Sequence, residues 1–140
     1  MAELAYERSG PERILSTFPL LEELIKVLKE KGDVSGLQKA MSLVAKMNTL
    51  RLMSIGVAQY LEEQKDVSIV ASLVKDLGTM FEKEVAEVTR FILDCTPSLD
   101  ANNDLERYLA QSLLHSPGFT LRGGTTEILR GIVAKGMVAR

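Results

Sequence analysis

The chain has 140 residues, 46% hydrophobic and 26% charged, which is typical of one globular domain with its own core. A formal net charge of −2 at pH 7 provides neither the basic surface that nucleic acids need nor a polybasic membrane patch. No apolar run approaches the ~20 residues of a membrane span. One cysteine, Cys95, and one histidine, His115, exclude an internal disulfide and a multi-histidine metal site. Because a single cysteine cannot form an internal disulfide, we expect a reducing compartment, the cytoplasm. The start, "MAELAYERSG", does not have the basic and apolar segments of a signal peptide.

Helical spacing begins in the first quarter of the chain. A 4-3-4-3 apolar seam predicts a helix along Ile14, Phe18, Leu21, Ile25 and Leu28. That helix should end near "EKGD", where Gly32 can adopt the left-handed conformation that closes a helix. Pro11 and Pro19 each lack an amide donor, so we expect a break or a kink near them.

Two longer helices are predicted next. The second helix should open at Asp33 or Ser35, close at "EEQKD", and bury a 3-4 seam made of Ala40, Leu43, Met47, Leu50, Ser54, Val57 and Leu61. The third helix should start at Asp66 or Ser68 and bury one side made of Val70, Val74, Leu77, Phe81, Val85, Val88 and Ile92. Such long seams are typical of bundle helices.

The last third of the chain predicts a loop and two shorter helices. "DCTPSLDANND" is the loop, and a fourth helix follows along Leu105, Leu109 and Leu113. "HSPGF" is expected to break that helix. A last helix should begin at the glycine–threonine stretch and carry Ile128, Leu129, Ile132 and Val133. The predicted fold of residues 1–140 is therefore one all-α domain, an antiparallel four-helix bundle with a short extra C-terminal helix.

The segment "LRGGTTEILR", residues 121–130, differs in composition from the helices around it. Gly123 and Gly124 allow positive φ and a close backbone approach, and Thr125 or Thr126 suits an N-cap. Glu127 lies in the first turn, where an acid complements the helix dipole. A tight turn into a well-capped helix explains the pattern, and amides at such a start could also hold a phosphate or a flavin oxygen.

Glu7 and Arg8, in "LAYERSG", form the second candidate pair. In the simpler interpretation, these two residues are solvated charges near the end of the chain. In the functional interpretation, the Glu7 carboxylate is held against an apolar pocket and acts as a general base. A di-metal bundle site would need paired Glu-x-x-His motifs, and the single histidine cannot supply them.

Together these two segments resemble the C-terminal domain of the acyl-CoA dehydrogenases. "RGGTTEILRGIVAK", residues 122–135, resembles the family's G-T-x-E/Q-I-x-R signature, and "LAYERSG", residues 4–10, resembles the L-x-x-E-R segment that opens the domain's first helix. The distance between the segments and the helical pattern between them also suit that domain. The resemblance therefore covers essentially the whole chain.

The resemblance implies an FAD-dependent dehydrogenase. A glutamate removes the α-proton of an acyl-CoA thioester, a hydride passes to flavin N5, and electrons continue to an electron-transfer flavoprotein. The family places an N-terminal helical domain and a middle β-domain ahead of this bundle, and both line the site. We therefore expect the 140 residues alone to fold and to self-associate as a dimer or tetramer without turning over acyl-CoA.

Site residues follow from the motifs position by position. One branch of the family places its base just before the G-T of the signature, where this chain has Gly123, and a second branch places it at the position of Glu7. Glu7 is therefore the candidate base. Arg8 would orient the base and the acyl-CoA, and Gly124 matches a backbone position near the thioester. The flavin-contacting positions match Thr125, Thr126 and Glu127.

Two family segments are missing, and they support an alternative. "KVLKEKGD" stands where an Arg-x-x-Phe-Gly segment would reach the FAD pyrophosphate of a neighbouring subunit, and "ILDCTPSLD" replaces a Gln-x-x-Gly-Gly segment. The alternative is a non-enzymatic helical oligomerisation module that keeps the bundle and binds no cofactor.

Overall fold

A computed structural model describes residues 2–138 of the chain. The described range contains helices and no strand, so the all-α prediction is confirmed. Its helices, in chain order, are α1 (Ala2–Ser9), α2 (Glu12–Leu15), α3 (Phe18–Lys31), α4 (Val34–Glu62), α5 (Ser68–Leu93), α6 (Asp104–Leu121) and α7 (Thr126–Val138).

The first predicted helix is broken where the prolines predict a break. Pro11 precedes α2, and Pro19 lies in the first turn of α3, where a missing amide donor costs nothing. Gly32 closes α3 with φ of 65°, and its amide donates to the carbonyls of Leu28 and Lys29. Both the break and the predicted end of the helix are confirmed.

α4 begins and ends as predicted. The Asp33 side chain accepts from the Gly36 amide at 2.9 Å, so one of the amides that the first turn leaves without a helical partner is capped. Ala40, Leu43 and Val57 of the predicted seam are buried against the neighbouring helices. The seam therefore faces the core, and the opposite side of this long helix faces outward.

α5 is the central helix and contacts all six other helices of the described chain. The predicted one-sided seam is therefore only partly right: Val74, Phe81 and Val85 are buried, whereas Val70 and Leu77 are exposed. Because neighbours surround the helix, a set of polar residues is also buried: Ser72, Lys75, Asp76, Thr79, Glu82 and Thr89.

The predicted break at "HSPGF" is wrong, because α6 continues through Pro117 to Leu121. The end of the helix is held from α5: the Lys75 ammonium and the Thr79 hydroxyl donate to the Phe119 carbonyl at 2.9 Å and 3.0 Å. Phe119 itself is buried. These contacts and this burial offset the cost of a proline inside a helix, roughly 3 kcal/mol.

α7 begins at the glycine–threonine stretch, as predicted, and packs against α5. Leu129 is fully buried, Ile132 and Val133 are half-buried, and Ile128 is exposed. None of the helices in residues 2–138 is long and apolar enough to span a membrane.

Candidate functional site

The two candidate segments, more than a hundred residues apart in sequence, meet in the structure. A Glu7 carboxylate oxygen accepts from the Gly123 amide at 3.1 Å, and the Arg8 Nε donates to the Gly123 carbonyl at 2.9 Å. Glu7 and Arg8, which are adjacent in α1, therefore hydrogen-bond to both the N–H and the C=O of Gly123. The candidate site consists of this contact and the start of α7.

The two glycines adopt the backbone conformation that the sequence predicts. Gly123 has φ of 65° and Gly124 has φ of 112°, in the range that favours glycine. A Cβ added to Gly124 would lie 3.6 Å from the Leu129 side chain and 3.8 Å from the Arg8 guanidinium, so space alone would permit it. The backbone angle is what requires glycine here.

Gly124→Ala is therefore expected to lower the free energy of unfolding by roughly 1–3 kcal/mol. The matched control is Gly131→Ala in α7, where a Cβ would meet nothing within 4 Å and alanine should stabilise the helix by about 0.5–1 kcal/mol. Urea denaturation of both variants checks the prediction, which fails if the two substitutions have the same sign.

The three predicted flavin-contacting residues lie together at the start of α7. The Thr125 carbonyl accepts from the Leu129 amide at 3.0 Å, so Thr125 is the N-cap. Two hydrogen bonds lower the pKa of the Glu127 carboxyl. The larger effect comes from the Glu127 amide, which donates to the carboxylate, and the smaller one from the Thr125 hydroxyl, which also donates to it. Thr125 and Thr126 are half-buried, and Glu127 is exposed.

Sequence reasoning missed the polar face of α5 that lies under this turn. Arg8 also donates to the Ser72 hydroxyl at 3.1 Å, and the fully buried Lys75 donates to the Phe119 and Thr120 carbonyls at 2.9 Å and 3.3 Å. α5 thereby supports both α1 and the end of α6. The spacing of Ser72, Lys75, Thr79 and Glu82 at three or four residues, which places them on one side of a helix, was the signal available in the sequence.

Two ion pairs extend the same polar face towards the last helix. Arg122 Nη2 lies 2.6 Å from a carboxylate oxygen of the fully buried Glu82, and Arg130 Nε lies 2.9 Å from a carboxylate oxygen of Asp76. These arginines flank the Gly123–Gly124 turn in sequence, on its two sides. The turn is therefore attached to α5 before and after its glycines.

The Glu7 side chain is exposed, so the described residues do not enclose its carboxylate in an apolar pocket, the alternative to two solvated charges. Cys95 and His115 take no part in the hydrogen bonds described above. Burial raises the pKa of the half-buried Cys95 thiol, and His115 is exposed. Within the described part of the chain, no group of three or more His, Cys, Asp or Glu side chains could hold a metal ion.

Comparison of the chain with models of protein families, with curated proteins and with solved structures finds no significant match. A function must therefore be argued from the residues themselves and from their arrangement.

Proposed function

We propose that this chain is the C-terminal helical domain of an FAD-dependent acyl-CoA dehydrogenase, an antiparallel four-helix bundle with a short extra C-terminal helix. The observation that supports the proposal most is the 3.1 Å contact between the Glu7 carboxylate and the Gly123 amide. The two positions that the branches of the family use for the base are thus neighbours in space. A glutamate at one of them faces the glycine at the other.

Glu7 is proposed as the general base. Gly123 has no side chain that could accept a proton, and the exposed side chain of Glu7 beside it leaves a carboxylate accessible to a thioester. The carboxylate would take the α-proton of the thioester, in a reaction in which the β-carbon loses a hydride. Arg8 positions the base by holding the Gly123 carbonyl.

The residues at the start of α7 fit one edge of a flavin. Thr125 and Thr126 are half-buried. The Thr126 hydroxyl can donate to a flavin carbonyl oxygen, and the Thr125 hydroxyl oxygen can accept from a flavin N–H. The Glu127 carboxylate already accepts from its own amide and from the Thr125 hydroxyl, so Glu127 is proposed to hold Thr125 in place beside the flavin. Bound FAD would supply the acceptor for the hydride. The Arg-x-x-Phe-Gly and Gln-x-x-Gly-Gly segments, which contact FAD in the family, are missing from this chain. The contacts to the flavin ring are therefore the ones that this chain would contribute to FAD binding.

The proposal also includes partners and a compartment. The acyl-CoA substrate would bind where further domains of the family complete the site, and an electron-transfer flavoprotein would take the electrons. A cytoplasmic location suits the single cysteine. The 140 residues alone are expected to fold and to lack turnover.

Flavin content tests the proposal directly. The protein is isolated with an antibody against this chain from the cells that produce it, and released flavin is identified by its fluorescence and mass. About one FAD per copy of the chain is expected. Protein free of flavin after gentle isolation and after incubation with FAD would overturn the proposal.

The absence of the two FAD-contacting segments favours a second candidate, a non-enzymatic helical oligomerisation module. Such a module would self-associate, bind no flavin, and tolerate substitution of Glu7. The flavin measurement therefore separates the two candidates.

A further inference from the structure

The Arg130 guanidinium on α7 divides its hydrogen bonds between two side chains of α5. Its Nε donates to Asp76 Oδ2 at 2.9 Å, and its Nη2 donates to the Met80 sulfur at 3.6 Å. Asp76 and Met80 are four residues apart, so their side chains lie on the same face of α5, one turn apart. Arg130 therefore connects α7 to two successive turns of the central helix.

This division leaves a strong acceptor unused. The Nε–H and one terminal N–H of an arginine can donate side by side to both oxygens of a carboxylate. Here Asp76 Oδ1 is buried and has no hydrogen-bond partner within the described residues, while Nη2 donates to a thioether, which is a weak acceptor. The second N–H group of Arg130 therefore adds little to the attachment of α7.

Oxidation changes the acceptor strength of the Met80 side chain. The sulfur lone pair attacks one oxygen of hydrogen peroxide, the O–O bond breaks, and the second oxygen leaves as hydroxide. The hydroxide takes the proton that is still on the transferred oxygen and becomes water. The sulfur is thereby oxidised by two electrons to a sulfoxide, whose oxygen is polar. Met80 is 51% exposed, so peroxide can reach the sulfur and the new oxygen need not be buried.

We propose that Met80 is a site of reversible oxidation by hydrogen peroxide, and that Arg130 binds the resulting sulfoxide oxygen. Nη2 donates to that oxygen while Nε keeps its bond to Asp76, because the two bonds use different N–H groups. Methionine sulfoxide normally disrupts packed apolar contacts. At Met80 the side chain is exposed and a cationic donor already contacts the sulfur, so oxidation strengthens the attachment of α7 to α5.

The contact with Arg130, rather than exposure, distinguishes Met80 from the other methionines at the surface. Met41 on α4 is 45% exposed, and Met137 on α7 is 74% exposed. Within residues 2–138, neither of these two sulfurs accepts a hydrogen bond. Peroxide can reach all three side chains, and only at Met80 does a donor of the described chain stand ready to bind the new oxygen.

Oxidation would act on the end of α7 that carries the candidate site. Arg130 lies one turn after Thr126, and Thr126 follows the glycine turn that α1 contacts. Local opening of this part of α7 becomes rarer when Arg130 makes a second strong hydrogen bond to α5. The oxidation state of the sulfur therefore sets how often the start of α7 opens. The inference goes beyond the proposed function and needs no flavin.

Hydrogen–deuterium exchange of the 140-residue chain tests the inference, in a background carrying Met41→Leu and Met137→Leu. These two changes leave Met80 as the exposed methionine among the described residues. After peroxide treatment, with the sulfoxide located by peptide mass analysis, amide exchange across Thr126–Val138 should slow about two- to tenfold, the usual effect of one added hydrogen bond. A methionine sulfoxide reductase with dithiothreitol, which returns the two electrons, should restore the original rate.

Three further variants of this background separate the steps. With Met80→Leu, peroxide should leave the exchange of α7 unchanged. With Arg130→Leu, Met80 should still be oxidised, and the ratio of exchange rates before and after oxidation should be one. Met80→Gln should slow the exchange without peroxide, because an amide oxygen replaces the sulfoxide oxygen. Circular dichroism should show the same helicity in every variant before treatment.

Three outcomes would overturn the inference. Met80 could stay reduced under conditions that convert Met41 of the wild type to the sulfoxide, which would remove the modification site. Exchange of α7 could be unchanged or faster after oxidation, which would mean that Arg130 does not bind the sulfoxide. A slowing that persists in Arg130→Leu would place the effect elsewhere. None of these outcomes involves a flavin, so failure here is distinguishable from failure of the proposed function.

Discussion

Glu7→Gln in the flavin-loaded protein is expected to slow acyl-CoA-dependent flavin reduction by about 10²–10⁴-fold, the usual contribution of a general base. Glutamine keeps the size of the side chain, and its carbonyl can still accept from the Gly123 amide. It cannot take a proton. The turn should therefore persist while proton removal fails. Stopped-flow recording of the flavin's visible band gives the rate, and a titration with acyl-CoA gives the affinity.

The matched control is Glu22→Gln, an exposed glutamate on α3. It should leave both rate and affinity unchanged. A Glu7→Gln protein that reduces its flavin at the wild-type rate would remove Glu7 as the base. If acyl-CoA affinity alone fell, Glu7 would be a binding residue instead.

Lys75→Met is expected to lower the free energy of unfolding by about 3 kcal/mol, or the melting temperature by roughly 10 °C. Lys75 is fully buried, and its ammonium donates to the Phe119 and Thr120 carbonyls at the end of α6. Methionine fills similar space and donates nothing. The end of α6, and with it the turn at Gly123, should lose part of its attachment to α5.

Lys26→Met is the control for this change. Lys26 pairs with Glu23 on the surface of α3 with its side chain 59% exposed, so its loss should cost less than about 1 kcal/mol. Urea denaturation of both variants makes the comparison. If the two variants had the same free energy of unfolding, the buried hydrogen bonds of Lys75 would contribute no more to stability than an ordinary surface ion pair does.

Local patterns in the sequence predict most of the helices correctly. Gly32 and Asp33 mark the junction of α3 and α4, because a left-handed residue and a side-chain cap are determined within a few positions. Pro11 and Pro19 likewise predict the breaks between the first helices. The failure at Pro117 has a tertiary cause, since bonds from Lys75 and Thr79 of α5 stabilise a segment whose own sequence favours a break.

The candidate site could be predicted only in its parts. Glu7, Arg8 and the two glycines stand out as residue types, and their contact depends on how α1 packs against the rest of the fold. The polar face of α5 was missed because a one-sided apolar seam was assumed. That assumption fails for a helix that contacts all six other helices of the described chain, where Lys75 and Glu82 are fully buried alongside the apolar residues.

Exposure at the site also limits what this domain can do alone. Glu7 is exposed, and Thr125 and Thr126 are only half-buried, so a thioester bound beside them would be in contact with water. Proton removal next to a carbonyl benefits from an enclosed site. The expected lack of turnover by the 140 residues follows from this exposure.

The most direct measurement uses the flavin-loaded protein as isolated from the cells that produce it, because the 140 residues alone are expected to lack turnover. A saturated acyl-CoA is added in the absence of oxygen, and the visible spectrum of the flavin and the mass of the thioester are recorded. The proposed function predicts that the visible band bleaches and that one equivalent of 2-enoyl-CoA forms. An oxidised flavin beside unchanged acyl-CoA, across a range of chain lengths, would contradict it.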